Sequence, residues 1–218
     1  MTKKAKEIKI NAPQIPNSLQ TVSVDEIVFE SEELIEAIDC FEGQLENQEK
    51  ECVYIRKSVF KDTSFKGSRF HRLDLQDVIF ENCDFSNVDF TDSIIHKTVF
   101  KGCKITGANF SNTTWMHVKL ENCNGKYANF RFSQIKKSAF ENTNLDLSDC
   151  QNAVFEDVQL EKTSFRESQC SGAKLEGLDF RTCDIEGLGA RIEDLKGIVI
   201  TSIQAVSIAR ILGVVIED

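Results

Sequence analysis

The chain has 218 residues, a formal net charge of −9, eight cysteines, two prolines and one tryptophan. An acidic balance argues against direct nucleic-acid binding, and eight cysteines without a recognisable secretory leader argue against a secreted disulfide scaffold. Residues 1–22 begin with Lys3, Lys4, Lys6 and Lys9 and hold both prolines, Pro13 and Pro16, which predicts a flexible or extended tail. Ser23-Val-Asp-Glu26 has the spacing of a capping box, and Ile27, Leu34, Ile35 and Ile38 share one face of a helix expected to follow it. Residues 23–50 therefore form an acidic N-terminal cap with an irregular first coil: Ile38/Cys40 and Gly43/Leu45 keep the register of what comes next, and Lys50 breaks it.

From Ile55 to Ile200 every fifth residue belongs in a core. Of these 30 positions, 26 are large and apolar, and they hold 13 of the 16 phenylalanines. Two residues before each lies a second column, and 25 of its 30 members are Ser, Thr, Ala, Cys or Val. A period of five fits neither a helix nor an alternating strand, so it predicts a solenoid in which the large and the small residue point inward. A period of twenty is also present: Cys83, Cys103 and Cys123 recur at that interval, as do Phe70, Phe90, Phe110 and Phe130. Four pentads to a coil make a square whose like sides stack. On these residues the chain resembles the pentapeptide-repeat family, and the resemblance implies an all-β solenoid, a right-handed quadrilateral β-helix over residues 51–200.

Seven cysteines (Cys40, Cys83, Cys103, Cys123, Cys150, Cys170 and Cys183) fall in inward columns, where a thiol acts as a small hydrophobe; Cys52 does not. Reduced packing cysteines point to a cytoplasmic location. Trp115 occupies a central position, and ten residues on, half a coil round, the central residue is Gly125, so the indole is expected to fill the space that the glycine leaves. No catalytic, metal or cofactor residues are expected. His71, His96 and His117 do not stack at a period of twenty, and no phosphate loop, CxxC pair or nucleophile elbow occurs.

Charge is banded. Residues 51–73 sum to +4, 74–96 to −6, 97–140 to +7 and 141–200 to −7, which predicts bands of potential along a rod, solvated unless a partner uses them. Residues 201–218 read as a dimerisation helix and tail. Thr201 or Ser202 caps the helix, Gly213 ends it, and Ile203, Val206, Ile208, Ile211 and Leu212 supply more apolar surface than one capping contact uses. A membrane span is excluded by length and by Arg210.

The ending Ile185-Glu-Gly-Leu-Gly-Ala-Arg-Ile-Glu-Asp-Leu-Lys-Gly-Ile-Val-Ile200, the apolar helix and Leu212-Gly-Val-Val-Ile-Glu-Asp218 resemble the Qnr and MfpA-type branch of the family. That resemblance implies a non-enzymatic homodimer that binds a type II topoisomerase, DNA gyrase or topoisomerase IV, by mimicking duplex DNA, and that can protect it from fluoroquinolones. Charge and outward phase within the acidic band 141–200 then single out Glu156, Asp157, Glu176, Asp179, Asp184 and Glu186 as the acids expected to contact that partner. The absence of a loop insertion between Ile55 and Ile200 resembles members that act more as gyrase inhibitors. The competing expectation is a pentapeptide-repeat scaffold for an unrelated protein.

Overall fold

A computed structural model describes residues 8–211 and 213–215. The pentads wind into a right-handed quadrilateral β-helix, each pentad one side of a square coil. The first wall carries Ile55, Leu75, Ile95, Trp115, Ile135 and Phe155; the second Phe60, Phe80, Phe100, Leu120 and Phe140. The third carries Phe65, Phe85, Ile105, Gly125, Leu145 and Phe165; the fourth Phe70, Phe90, Phe110, Phe130, Cys150 and Cys170. Every large side chain among these is buried.

Strands pair in parallel at an offset of twenty residues. Asp74–Glu81 pairs with Ile94–Lys101, and Gln134–Glu141 with Val154–Glu161, each strand running across the corner between the first and second walls. Beyond the first coils, where Glu49–Glu51 pairs with Arg69–His71, the third and fourth walls are joined by single bridges such as Asp84↔Lys104 and Asn109↔Asn129. Rings stack on their like: Phe60, Phe80 and Phe100 lie 5.3 and 5.2 Å apart, and Phe90, Phe110 and Phe130 lie 5.0 and 5.3 Å apart. Burying one such ring contributes about 1.5–3 kcal/mol, and the stack repeats that gain coil after coil.

The small inward column is polar for a reason. The Thr163 hydroxyl reaches the carbonyls of Phe140, 3.0 Å away in the coil before, and of Glu161, 3.2 Å away. Cys83, Cys103 and Cys123 direct their thiols at the carbonyls of Phe60, Phe80 and Phe100 at 3.5, 3.4 and 3.2 Å. A buried donor without an acceptor would be costly, and the wall of the preceding coil supplies one. All seven inward cysteines are buried, and burial holds the Cys183 thiol up at about 11.

Corners impose a second rule. Twenty-five described non-glycine residues have positive φ, from Glu32 to Glu167, and every one lies two places after a central residue. That left-handed conformation favours Asn, Asp and Gly and penalises β-branched side chains; none of the 25 is β-branched.

The N-terminal helix expected after Ser23 does not form. Glu26 Oε2 accepts the Ser23 N–H at 3.3 Å, yet the turn it closes is a 3-10 segment of three residues, Val24–Glu26. The chain then enters the ladder: Leu34–Glu36 pairs with Tyr54–Arg56, and Ile38–Gln44 with Val59–Ser64. Ile35, Cys40 and Leu45 already obey the pentad register, so ladder pairing with the next coil wins over a helix that would bury Leu34, which is exposed here. Lys50 turns outward toward Glu30, and the Phe29 ring occupies the core beside Phe70, 5.2 Å away.

Trp115 is fully buried among Phe100, Phe110, Phe130 and Phe140, and its indole N–H donates to the Thr113 hydroxyl at 3.0 Å. The expected exchange of volume with Gly125 takes a different course. A Cβ on Gly125 would meet Leu145 Cδ2 at 2.7 Å and Ile105 Cδ1 at 3.1 Å, so the space beside the glycine is filled first along its own wall, by the coils above and below.

Candidate partner-binding surface

Outward side chains of successive coils are stacked ~4.8 Å apart, so the charge bands meet at their boundaries. Six cations of the band 97–140 reach acids of the adjoining bands. Lys97, Lys101 and Lys104 pair with Asp77, Glu81 and Asp84 at 3.9, 3.1 and 3.4 Å. Lys119, Arg131 and Lys136 pair with Glu141, Asp149 and Glu156 at 2.8, 3.3 and 3.3 Å. The bands are largely a self-neutralising stack, which the linear sequence does not display.

The six acids assigned to partner contact lie on three walls. Glu156 and Glu176 occupy one exposed column of the first wall on neighbouring coils, with Asp157 at the adjacent corner. Asp179 lies at the second wall, where the Arg181 guanidinium 2.6 Å away holds its carboxyl below the usual range. Asp184 and Glu186 lie on the third, brought together by Arg166 at 3.1 and 2.7 Å. Acid therefore winds around the last coils rather than forming one flat patch.

The helix Ser202–Ile211 closes that end. Thr201 Oγ1 accepts the Gln204 N–H at 3.2 Å while Gln204 Oε1 accepts the Thr201 N–H at 2.8 Å, a reciprocal cap. The Gln204 amide then donates to the carbonyls of Phe180 and Cys183 at 2.7 and 2.8 Å, satisfying acceptors that an open coil would leave to water. Among the residues expected at a dimer interface, Ile208 packs on the core and Ile211 is half-buried, so these two belong at least partly to the cap. Ile203 is 83% exposed and Val206 42%. Leu212 lies outside the described residues.

Across these coils two family models match. One, a pentapeptide repeat region, covers residues 73–150; the other, eight copies of pentapeptide repeats, covers 143–181. The chain belongs to the pentapeptide-repeat family. None of the curated proteins matches it. Among solved structures, the pentapeptide-repeat chain is similar to HetL, a protein involved in heterocyst differentiation regulation from the cyanobacterium Nostoc sp. strain PCC 7120. Identity is 16%, coverage is 79% of this chain and 91% of that one, and the TM-score is 0.44. It is also similar to a trypsin-treated form of QnrB1, a plasmid-mediated fluoroquinolone resistance protein, at 20% identity over 92% of this chain and 100% of that one, with a TM-score of 0.41. No helix among the described residues is long and apolar enough to cross a membrane, and no three His, Cys, Asp or Glu among them are grouped to hold a metal ion.

One surface escaped the sequence reasoning. Residues 8–19 run lengthwise along the corner between the first and second walls. Gln159 Nε2 donates to the Ile8 carbonyl at 3.1 Å, the Asn11 N–H donates to His117 Nδ1 at 3.3 Å, and the Gln14 N–H donates to Asp77 Oδ1 at 2.9 Å. The available signal was Val59, Ile79, Val99 and, past Lys119, Ala139: a period-twenty column, apolar at four of five places, in a phase that should face water, with Val59 and Ala139 buried.

Proposed function

We propose that this pentapeptide-repeat protein is a non-enzymatic, cytoplasmic binding protein. As a homodimer joined through the helix Ser202–Ile211, it engages a type II topoisomerase, DNA gyrase or topoisomerase IV, in place of duplex DNA. The observation that carries the reading is where the helix sits. It caps the acidic end of the rod and leaves Ile203 and Val206 uncovered, so a two-fold pairing of helices joins two acidic ends into one continuous acidic centre. Because acid winds around three walls there, such a centre presents negative charge on several sides, as a duplex does.

The enzyme's DNA path is lined with cations, so binding weakens as salt rises. A supercoiling assay with purified protein tests this directly. Supercoiling should be inhibited, the inhibition should fall with salt, and it should drop sharply on replacing Glu156, Glu176, Asp184 and Glu186 together by Lys. Inhibition and salt dependence that survive the fourfold reversal rule out mimicry and favour a scaffold for another protein partner. Protection of the enzyme from fluoroquinolones is measured in the same assay with drug present.

A further inference from the structure

The coils are not all joined equally. From Leu34 onward each coil is bridged to the next on all four walls, twenty residues apart, until the coil 154–173 meets the coil 174–193. There Val154↔Lys174, Ser164↔Asp184 and Gln169↔Gly189 hold the first, third and fourth walls, and on the second wall no bridge joins Gln159 to Asp179 among the described residues. The Asp179 N–H therefore lacks the carbonyl that the Ile79 and Ala139 N–H groups find in the preceding coil, at 3.0 and 2.9 Å. The residues account for the gap. Leu178 stands in the small column where earlier coils of this wall carry Ser, Thr or Val, and Leu160, alone among the wall's central residues from Phe60 to Phe180, is only half-buried. Residues 154–161 cross the corner as one strand, whereas 174–179 cross it in a turn between two single bridges, so the two coils differ in shape where they should pair.

One side chain spans the gap. Thr182 Oγ1 accepts the Lys162 N–H at 3.2 Å and donates to the Leu160 carbonyl at 3.4 Å. Arg181, one coil from Glu161 in the same outward column, turns back to Asp179 at 2.6 Å instead of crossing. The opposite, fourth wall is firm: the Cys170 N–H donates to the Gly189 carbonyl at 2.6 Å, the Gly189 N–H to the Ser168 carbonyl at 2.8 Å, and the Gly172 N–H to the Asp194 carboxylate at 2.7 Å. Both sides of the gap are braced. Residues 8–19 form a strap whose contacts at Gln14, Asn11 and Ile8 fall on Asp77, His117 and Gln159, two coils apart at each step, because three extended residues and two coils both advance ~9–10 Å. The last of these, Gln159, lies on the near side. On the far side the Phe180 N–H donates to the Val199 carbonyl at 2.8 Å and Gln204 holds the carbonyls of Phe180 and Cys183, so the last coil and the helix form one piece. We propose that the gap is a latched hinge: when the Thr182 hydroxyl lets go, the second wall opens between Leu160 and Asp179, and the last coil and the helix Ser202–Ile211 turn as a body about the fourth wall. Opening breaks no backbone rung on that wall and gives water to groups that already lack partners, so its cost is small. The hinge stands apart from topoisomerase binding; in the dimer described above it sets the angle between the two rods.

Spin labels on the full chain test it. In a Cys52→Ser background, with the other seven cysteines buried, labels at Glu141→Cys and Arg181→Cys span the gap, and labels at Glu81→Cys and Glu121→Cys span two regular coils. Excess unlabelled protein keeps each distance within one chain. The first pair should give a broad or two-peaked distribution and the second a single narrow one. Thr182→Ala should move the first pair to longer distances, and Thr182→Ser, which keeps the hydroxyl, should not; Thr182 is exposed, so neither substitution threatens the fold. Amide exchange separates turning from fraying: Asp179 should exchange roughly ten-fold faster than Ala139, or more, while Phe180 stays protected. Equal widths for the two pairs, a first pair indifferent to Thr182→Ala, or a Thr182→Ser chain as open as the Thr182→Ala one overturns the proposal. A Phe180 amide that exchanges as fast as Asp179 overturns it too, because the end then frays instead of turning.

Discussion

Lys101 Nζ lies 3.1 Å from Glu81 Oε1, one coil away in the same outward column of the second wall. The +7 band thus meets the −6 band as a ladder of cross-coil pairs, while farther along the same column Glu121, Glu141 and Glu161 follow one another on successive coils. Both side chains are partly exposed, so the pair contributes ~0.2–1 kcal/mol. Lys101→Glu should lower the melting temperature slightly by placing an acid in register between Glu81 and Glu121, and Glu81→Lys added to it should restore part of the stability. The difference between single and double variants should shrink at high salt, and a melt series at two ionic strengths measures it.

Gly125 should resist enlargement because of its own wall. Gly125→Ala places a methyl 2.7 Å from Leu145 Cδ2, and repacking should cost about 1–3 kcal/mol. Leu145→Ala in the same chain should offset part of that loss, whereas Trp115→Leu should not. Thermal melts of the singles and doubles separate an along-wall clash from a cross-wall one.

Corner residues predict a reversal of the usual rule for glycine. Lys162 has φ 47, and its side chain reaches only an exposed neighbouring acid, Glu161, at 3.9 Å. Lys162→Gly should stabilise by about 0.5–1 kcal/mol by relieving the left-handed strain, and Lys162→Val should destabilise by about 1–2 kcal/mol. Denaturant midpoints of the two variants should move in opposite directions.

His117 makes the strap sensitive to acid. Burial first, then His96, Lys137 and Lys97, lower its pKa, and only the neutral ring offers Nδ1 to the Asn11 N–H. Among the groups near it, Asp77 is engaged with Gln14 and Lys97, and the strap's own cation is Lys9. A depressed folded-state pKa means that this contribution is present above the unfolded value of about 6.5 and lost as pH falls below it. The protection factor of the Asn11 amide should therefore fall between about pH 7 and 5 while that of Gln14, held by Asp77, persists.

Asp194 behaves likewise at lower pH. Its side chain is 6% exposed, and it accepts from Arg191 at 2.8 and 2.9 Å and from the Gly172 N–H at 2.7 Å. Arg191 above all holds its carboxyl at about 2. The stabilisation, about 1–2 kcal/mol after allowance for solvent screening, is complete above the unfolded value of about 4 and fades as pH falls toward 2. Asp194→Asn should lower the neutral-pH melting temperature and flatten its decline in acid.

What the residues alone determine here is whatever repeats. Period five names the inward columns because coil-to-coil stacking is local and identical at each step, so Phe60, Phe80 and Phe100 announce their own packing. The left-handed corners are equally legible in Asn82, Asn122 and Asn142, since backbone sterics act on single residues. Tertiary structure decides whatever joins one period to another. Ile35 and Ile38 satisfy a helical pattern and the pentad pattern alike, and only a neighbouring coil offering ladder partners chooses the strand. Ile203 and Ile208 are equally apolar in the sequence; the carbonyls of Phe180 and Cys183 at the open end, by seizing Gln204, turn Ile208 inward and leave Ile203 to solvent. The strap is the extreme case: Gln14 finds Asp77 across 63 residues because three steps of extended chain and two coils of the rod advance by the same length, a match that exists only once the rod is built.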